Sequence, residues 1–153
     1  MKPILDFAFQ VGAKFSLNAD LIVKKGGRYF LLNETLHRLI RKDFYYAGTY
    51  LGKVKNGKFF PSFNLLAILA KGKANKIVVD GKAAWLFICG RDVFRRGIVT
   101  VHGSRRKGDY TLVLNEFGEC LGFGKITHSL DAEGAQVVVK NISDIGDFLR
   151  REA

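Results

Sequence analysis

The sequence predicts an α+β protein, in which an N-terminal α/β domain with antiparallel hairpins precedes a second domain built mostly of short strands. Three observations carry that reading. Two glycine-containing turns, Gly26-Gly27 and Asn56-Gly57, each join a pair of apolar runs in the first half. Apolar residues recur at helical spacing between and after those hairpins. Beyond residue 76 the chain breaks into strand-like runs of 3–6 residues separated by turn residues, the pattern of a small barrel.

The first apolar stretch, Ile4 to Phe15, reads as a short helix lined by Leu5, Phe9 and Val11. Leu21-Ile-Val23 and Tyr29-Phe-Leu-Leu32 follow as strands around the two-glycine turn. Asn33 stands where a helix N-cap belongs, and Leu36, Leu39 and Ile40 supply the apolar face behind it. Thr49 to Val54 and Phe59-Phe60 form a second hairpin, because Asn-Gly tolerates the positive φ angles of a type I′ turn. One face of that hairpin must be buried, so core or interface packing is the stronger reading of Phe59 and Phe60 than a stacking platform. Pro61-Ser62 opens another helix, in which Leu65, Leu66, Ile68 and Leu69 would be buried.

In the second half the strand-like runs are Ile77-Val-Val79, Trp85-Leu-Phe-Ile88, Ile98 to Val101, Tyr110 to Leu114, Leu121 to Ile126 and Val137 to Val139. Turns fall at Gly103-Ser104, Lys107-Gly-Asp109 and Phe117-Gly118. Trp85, at the head of an apolar strand, is assigned to the core. A single helical turn is expected at Asp92-Val-Phe-Arg95. A closing helix would run from Ser143 to about Arg151, with Ser143 as N-cap and Asp144 on the positive end of its dipole.

Composition narrows the function classes. A chain of 153 residues that is 48% hydrophobic and 12% aromatic can build a core, which excludes global disorder. Lys+Arg 25 against Asp+Glu 14 gives a net charge of +11, so a polyanion is the expected partner, nucleic acid or an anionic membrane surface. The charge is uneven: residues 1–75 hold 13 basic and 4 acidic residues, residues 76–153 hold 12 and 10. The change falls at the basic, polar stretch Lys71–Lys76, which reads as a linker and divides the chain into domains 1–73 and 74–153. Halves this small gain stability by packing on one another. The apolar runs are far shorter than a membrane span, and Asp6 interrupts any signal-peptide core. Cys89 and Cys120 lack CxxC spacing and are read as buried free thiols in a reducing compartment, the alternative being a disulfide or reactive site. The expectation is a soluble intracellular protein without a membrane partner.

Signals for catalysis are weak. His37, His102 and His128 have no partners at metal-ligand spacing, and a lone histidine is more often an ordinary residue than a ligand. Neither a Gly-x-Ser-x-Gly elbow nor a Walker A loop occurs. Gly122-Phe-Gly124 resembles part of a dinucleotide fingerprint, yet it lies within a strand, where glycine marks a bend or close approach. No enzyme, cofactor or metal is therefore expected. Basic clusters are better defined: Arg91, Arg95 and Arg96 around one turn, Arg105-Arg-Lys107 at a hairpin tip, and Arg150-Arg151 on the last helix. The arginine fork suits phosphate and base stacking. Charged turns and helix ends are also ordinary solvated positions, and both readings stay open. Charge and aromatics interleave at Arg41-Lys-Asp-Phe-Tyr-Tyr46 as well.

Three motifs add a resemblance. Phe87-Ile-Cys-Gly-Arg-Asp-Val-Phe-Arg-Arg-Gly97-Ile, Lys107-Gly-Asp-Tyr-Thr-Leu-Val-Leu114 and Gly118-Glu-Cys-Leu-Gly-Phe-Gly124 resemble the PUA domain, a small RNA-binding pseudo-barrel, over about residues 75–140. With Gly48-Thr-Tyr-Leu-Gly-Lys53 and the closing Ser143–Glu152 segment, the whole chain resembles the Nip-seven family of large ribosomal subunit biogenesis factors. That resemblance implies a C-terminal PUA pseudo-barrel, an archaeal source, and a monomer that binds precursor ribosomal RNA. It further implies a cytoplasmic location, nucleolar in a eukaryote, and an N-terminal domain that extends the RNA track or meets assembly proteins. Two alternatives remain, a protein adaptor and a specificity module for an RNA-modifying enzyme.

The expected RNA contacts are Arg91, Arg95, Arg96, Lys125, Lys140, Arg150 and Arg151, converging on one face of the PUA domain. Backbone at Gly90, Gly97, Gly122 and Gly124 would let RNA approach, and Arg105–Lys107 would be a solvated tip. The chain departs from a positive stripe before the last helix, where it has Asp131, Glu133 and Gln136 with Lys140 alone. That moves weight to the helix termini and the basic first half.

Overall fold

In the computed structural model, which describes residues 1–14, 17–40, 47–134 and 136–152, the chain opens on helix α1 (Lys2–Gln10). Pro3 suits its first turn, where a missing N–H costs nothing. Ile4, Phe7, Ala8 and Val11 are buried, the i, i+3, i+4, i+7 stripe of a helix packed on one side. Val11 is therefore inward as expected, but Leu5 and Phe9 are not: they fall on the solvent side of that stripe, Phe9 at 84% exposure.

Strands β1 (Ile22–Lys25) and β2 (Arg28–Leu31) pair antiparallel across Gly26 and Gly27, both at positive φ. Asn33 caps α2 (Glu34–Leu39), its Oδ1 accepting the Leu36 N–H at 2.7 Å. The expected apolar face of that helix does not close, since Leu39 stays exposed and Leu36 and Ile40 are only partly covered. β3 (Thr49–Lys55) and β4 (Lys58–Pro61) turn through Asn56 and Gly57, again both at positive φ. These four strands form one antiparallel sheet in the order β1-β2-β3-β4. Ser62 caps α3 (Phe63–Lys71), which buries Leu65, Leu66 and Leu69 and half-buries Ile68.

The second sheet has the order β6-β10-β9-β8-β5-β7 among the described residues. Its strands are β5 (Lys76–Val79), β6 (Val93–Phe94), β7 (Ile98–His102), β8 (Tyr110–Leu114), β9 (Cys120–Ile126) and β10 (Val137–Asp144). Only β5 and β8 run parallel among these neighbours; the other pairs are antiparallel, and the sheet curls into a half-barrel. Helix α4 (Gly81–Ile88) replaces the strand expected at Trp85–Ile88. A four-residue apolar run does not distinguish helix from strand. Asp80 decides it, its side chain accepting the Ala83 N–H at 2.8 Å. Ala84 and Phe87 then face inward at i, i+3, which turns Trp85 out to 66% exposure rather than into the core.

Two further boundaries move. The helical turn expected at Asp92–Arg95 lies at Arg95–Gly97, after the two residues of β6. The last strand runs on to Asp144, so Ser143 pairs with Phe123 in the ladder and cannot cap. Asp144, 3% exposed, takes that role for α5 (Ile145–Glu152), accepting the Asp147 N–H at 2.7 Å. The cysteines also differ from expectation: Cys89 is exposed and Cys120 half-buried, and both are free. Burial pushes the Cys120 thiol up to about 11, so it stays protonated at neutral pH.

The second sheet carries a core on each face. One unites both halves of the chain: Ile4, Phe7, Leu51, Leu65 and Leu66 pack with Leu112, Leu114 and Phe123. The other gathers Ile77, Val79, Val113, Ile126, Val138 and Val139 beneath Ala84 and Phe87 of α4. Phe59 is half-buried against the first core, edge-on to Phe7 and Tyr29. The Lys71–Lys76 stretch is packed, not a free tether. Ala74 is buried, and Asn75 donates its backbone N–H to the Val11 carbonyl at 2.7 Å and its Nδ2 to the Tyr110 carbonyl at 3.2 Å.

Candidate nucleic-acid interface

The expected RNA contacts divide by the alternation of strand side chains. Ile126 and Val139 are paired and face the core under α4. Lys125 and Lys140, each one residue away and also paired, therefore point from the opposite face, where both are exposed. Tyr110 pairs with Lys125 from the third strand, so an aromatic and two lysines line up across β8, β9 and β10.

Arg91 and Arg150 lie on the other side of the sheet. Asn141 shows this, since it follows Lys140 and reaches the end of α4, donating Nδ2 to the Phe87 carbonyl at 2.9 Å and to Asp144 Oδ2 at 3.1 Å. Arg150 donates to the Ile88 carbonyl at 3.2 Å and sits 3.6 Å from Asp144. It thereby fastens α5 to α4, with about half of its side chain still in solvent. Arg91 is exposed next to that junction. The side chain of Arg151 is outside the described residues, as is the Arg41–Tyr46 segment.

Arg95 belongs to neither group. Its Nη1 donates to the Leu130 carbonyl at 2.6 Å and its Nη2 to the Ser129 carbonyl at 2.9 Å, while Nε is buried without a partner. Its fork is filled by the chain itself. Arg95→Ala should lower stability by about 1.5–3 kcal/mol, the range for hydrogen bonds to a charged group, with little effect on RNA affinity; an intact unfolding midpoint with lost affinity would reverse this assignment. Arg96 is free of that network and lies over the Phe94 ring at 5.6 Å. A cavity of about 400 Å³ opens beside Arg95, lined also by Val99, Arg105 and Leu130.

The six cations whose side chains are described thus do not converge on a single face: the pleat sends Lys125 and Lys140 one way and the α4–α5 junction the other. The glycine reading is corrected with them. A Cβ on Gly124 would meet the Lys140 carbonyl at 2.5 Å, and one on Gly97 would meet Ala83 Cβ at 2.5 Å. Gly122 is pressed on the Ser143 carbonyl. These close approaches are made by the protein's own strands and helix. Gly90 alone of the four leaves room, with Arg150 at 3.5 Å. At the hairpin tip, Arg105 pairs with Asp131 at 3.3 Å and Arg106 with Asp109 at 3.7 Å, in solvent where such pairs are worth about 0–1 kcal/mol.

Of the site's anchors, Asn75, Asp80 and Asn141 escaped the sequence reading, while Asp144 was placed at the start of the last helix but not as its cap. Asp80 before a Gly-Lys-Ala-Ala run carried a legible N-cap signal. The roles of Asn75 and Asn141 depend on partners as distant as Tyr110 and Phe87 and had no local signal.

A curled mixed sheet with a capped helix over one face and, on the other, a core flanked by exposed lysines points to the class: the C-terminal half is a PUA domain, a module that generally binds RNA. The family model of the UPF0113 PUA domain matches residues 75–153, and the chain belongs to that family. A UPF0113 protein of Archaeoglobus fulgidus is 30% identical over 112 residues, 71% of this chain and 63% of that protein. The chain therefore spans less than two thirds of the length of that curated relative. Among solved structures, a conserved PUA-domain protein of Thermoplasma acidophilum superposes with a TM-score of 0.59 at 23% identity, covering 86% of this chain and 79% of that one. A hypothetical protein of Pyrococcus horikoshii OT3 does so with 0.57 at 19%, covering 86% and 77%. Both likenesses extend through the N-terminal half and concern the fold.

Proposed function

We propose that this protein is a non-enzymatic RNA-binding factor of large ribosomal subunit assembly, of the Nip-seven kind within its family. It acts in the cytoplasm as a monomer and contacts precursor ribosomal RNA through the PUA domain. The observation that carries the reading is the placement of Lys125 and Lys140 directly opposite one another, both exposed, at the open edge of the face that carries the shared core. Like charges in that position cost stability, and a bound phosphate offsets the cost. Arg91 and the exposed part of Arg150 supply further contacts around the α4–α5 junction, and Arg96 supplies one beside Phe94. Base contacts would be few, since phosphate contacts position the protein without reading sequence.

Binding of a single-stranded RNA across a salt series tests this. For about six neutralised phosphates, log K should fall against log salt with a slope of roughly −4 to −5. K125A/K140A should weaken binding for all sequences alike and bring the slope about one unit nearer zero. A slope near zero in the unaltered protein would overturn RNA recognition and leave apolar docking to a protein as its mode. Crosslinking in cells followed by sequencing tests the ribosomal assignment, which fails if the reads do not fall on precursor ribosomal RNA.

A further inference from the structure

The N-terminal sheet presents a second basic surface. Its four strands, β1 to β4, contain Lys24, Lys25, Arg28, Lys53, Lys55 and Lys58 and not one aspartate or glutamate. Register decides where they point. Val54 and Phe59 are paired and pack on the first core, so the flanking pairs Lys53–Phe60 and Lys55–Lys58 face outward. Tyr29 also faces that core, which sends Arg28 outward with its partners Lys25 and Lys53. Lys25, Arg28, Lys53 and Phe60 thus form a row across all four strands, and Lys55 and Lys58 extend it at the hairpin end. Lys58 Nζ lies 5.6 Å from the centre of the Phe60 ring.

Cross-strand like charges destabilise a sheet, and Lys55–Lys58 is such a pair at the exposed hairpin end. Lys53, Lys55 and Lys58 are exposed, and among the described residues they make no ion pair. Neighbouring strands lie about 4.8 Å apart, so the row sets its cations along a line that an extended polyanion can follow. A membrane is disfavoured, because among the described residues the large exposed apolar side chains lie outside these four strands. An aromatic at the end of a cationic row is the arrangement that single-stranded nucleic acid uses.

We propose that the exposed hairpin end of this sheet's outward face is a second RNA-backbone site, centred on Lys53, Lys55 and Lys58. It rests on the RNA-binding reading of the chain and extends it by a separate surface. The protein would then hold RNA at two places, and an RNA long enough to reach both would bind more tightly than one that fills either.

The test uses the full chain with a fluorescently labelled single-stranded RNA in a salt series, comparing K53A/K55A/K58A with K125A/K140A. The N-terminal triple change should weaken binding at least about tenfold near 150 mM salt and bring the slope about two units nearer zero. Its unfolding midpoint should hold or rise, since it removes like-charge repulsion. If the alanines prevent folding, K53Q/K55Q/K58Q carries the same comparison. A triple variant that binds RNA with unchanged affinity and slope, while K125A/K140A is impaired, overturns this site and leaves the PUA reading standing. If the unaltered protein shows no salt-dependent RNA binding at all, the PUA reading itself fails. Loss of polyglutamate binding in the triple variant with RNA binding unchanged would reassign the face to an acidic protein and overturn the proposal. So would the same pattern with phosphatidylserine vesicles, in favour of a membrane.

Discussion

Replacing Phe123 with alanine is expected to cost the whole chain about 3–5 kcal/mol, the range for emptying a buried aromatic site. Phe123 is 6% exposed on β9 and packs edge-on to Phe7 of α1, ring centres 5.0 Å apart, and to Tyr110 at 6.1 Å. It therefore belongs to the core that both halves share. Removing it opens a void between α1 and the second sheet, and close-packed interiors relax only partly around such a void. Because one core spans both halves, urea unfolding of the variant should remain a single transition at a lower midpoint. Two separated transitions, or a loss below about 1 kcal/mol, would show that the halves are energetically independent.

Gly122→Ala should be nearly as damaging, about 3 kcal/mol or more, for a reason unrelated to apolar burial. Gly122 holds φ at +149, and a Cβ there would overlap the Ser143 carbonyl oxygen and lie 2.9 Å from Asp144 Cα. The backbone of β10 must retreat, and Asp144 moves with it. That displaces the cap of α5 and the partner of Arg150 and Asn141. Gly118→Ala is the control. Gly118 also has positive φ, at +81, but its Cβ would meet nothing within 4 Å, so only backbone strain of about 1 kcal/mol is lost. Equal effects of the two substitutions in thermal unfolding would refute the close-approach explanation.

The candidate site was legible in part. The cations that serve it stand out in the sequence as residue types, and the motifs around Gly90, Asp109 and Gly122 are those by which the chain resembles PUA domains. Their grouping was not legible. Lys125 and Lys140 meet because β9 and β10 pair in one register, and a one-residue slip of either strand would put the two lysines on opposite faces. Arg95 looks like Arg96 in sequence, yet the turn between β6 and β7 carries it onto two carbonyls of the 129–130 loop. Gly122 and Gly124 signalled a close approach correctly, while the approaching group proved to be the protein's own backbone.

Local chemistry determined much of the fold. Gly26-Gly27 and Asn56-Gly57 require their turns because few other residues accept positive φ in succession. Asn33 and Ser62 start their helices because each side chain satisfies an N–H three residues on. The net charge set the class of partner. What only tertiary structure decided was direction and ownership. Phe9 and Trp85 are outside, and Phe123 inside, because a residue's face depends on which neighbour arrives to cover it. Asp144 caps the last helix in place of Ser143 because β9 claims Ser143 for its ladder. A sequence states what each residue can do with its near neighbours, whereas burial and register are settled between residues tens of positions apart.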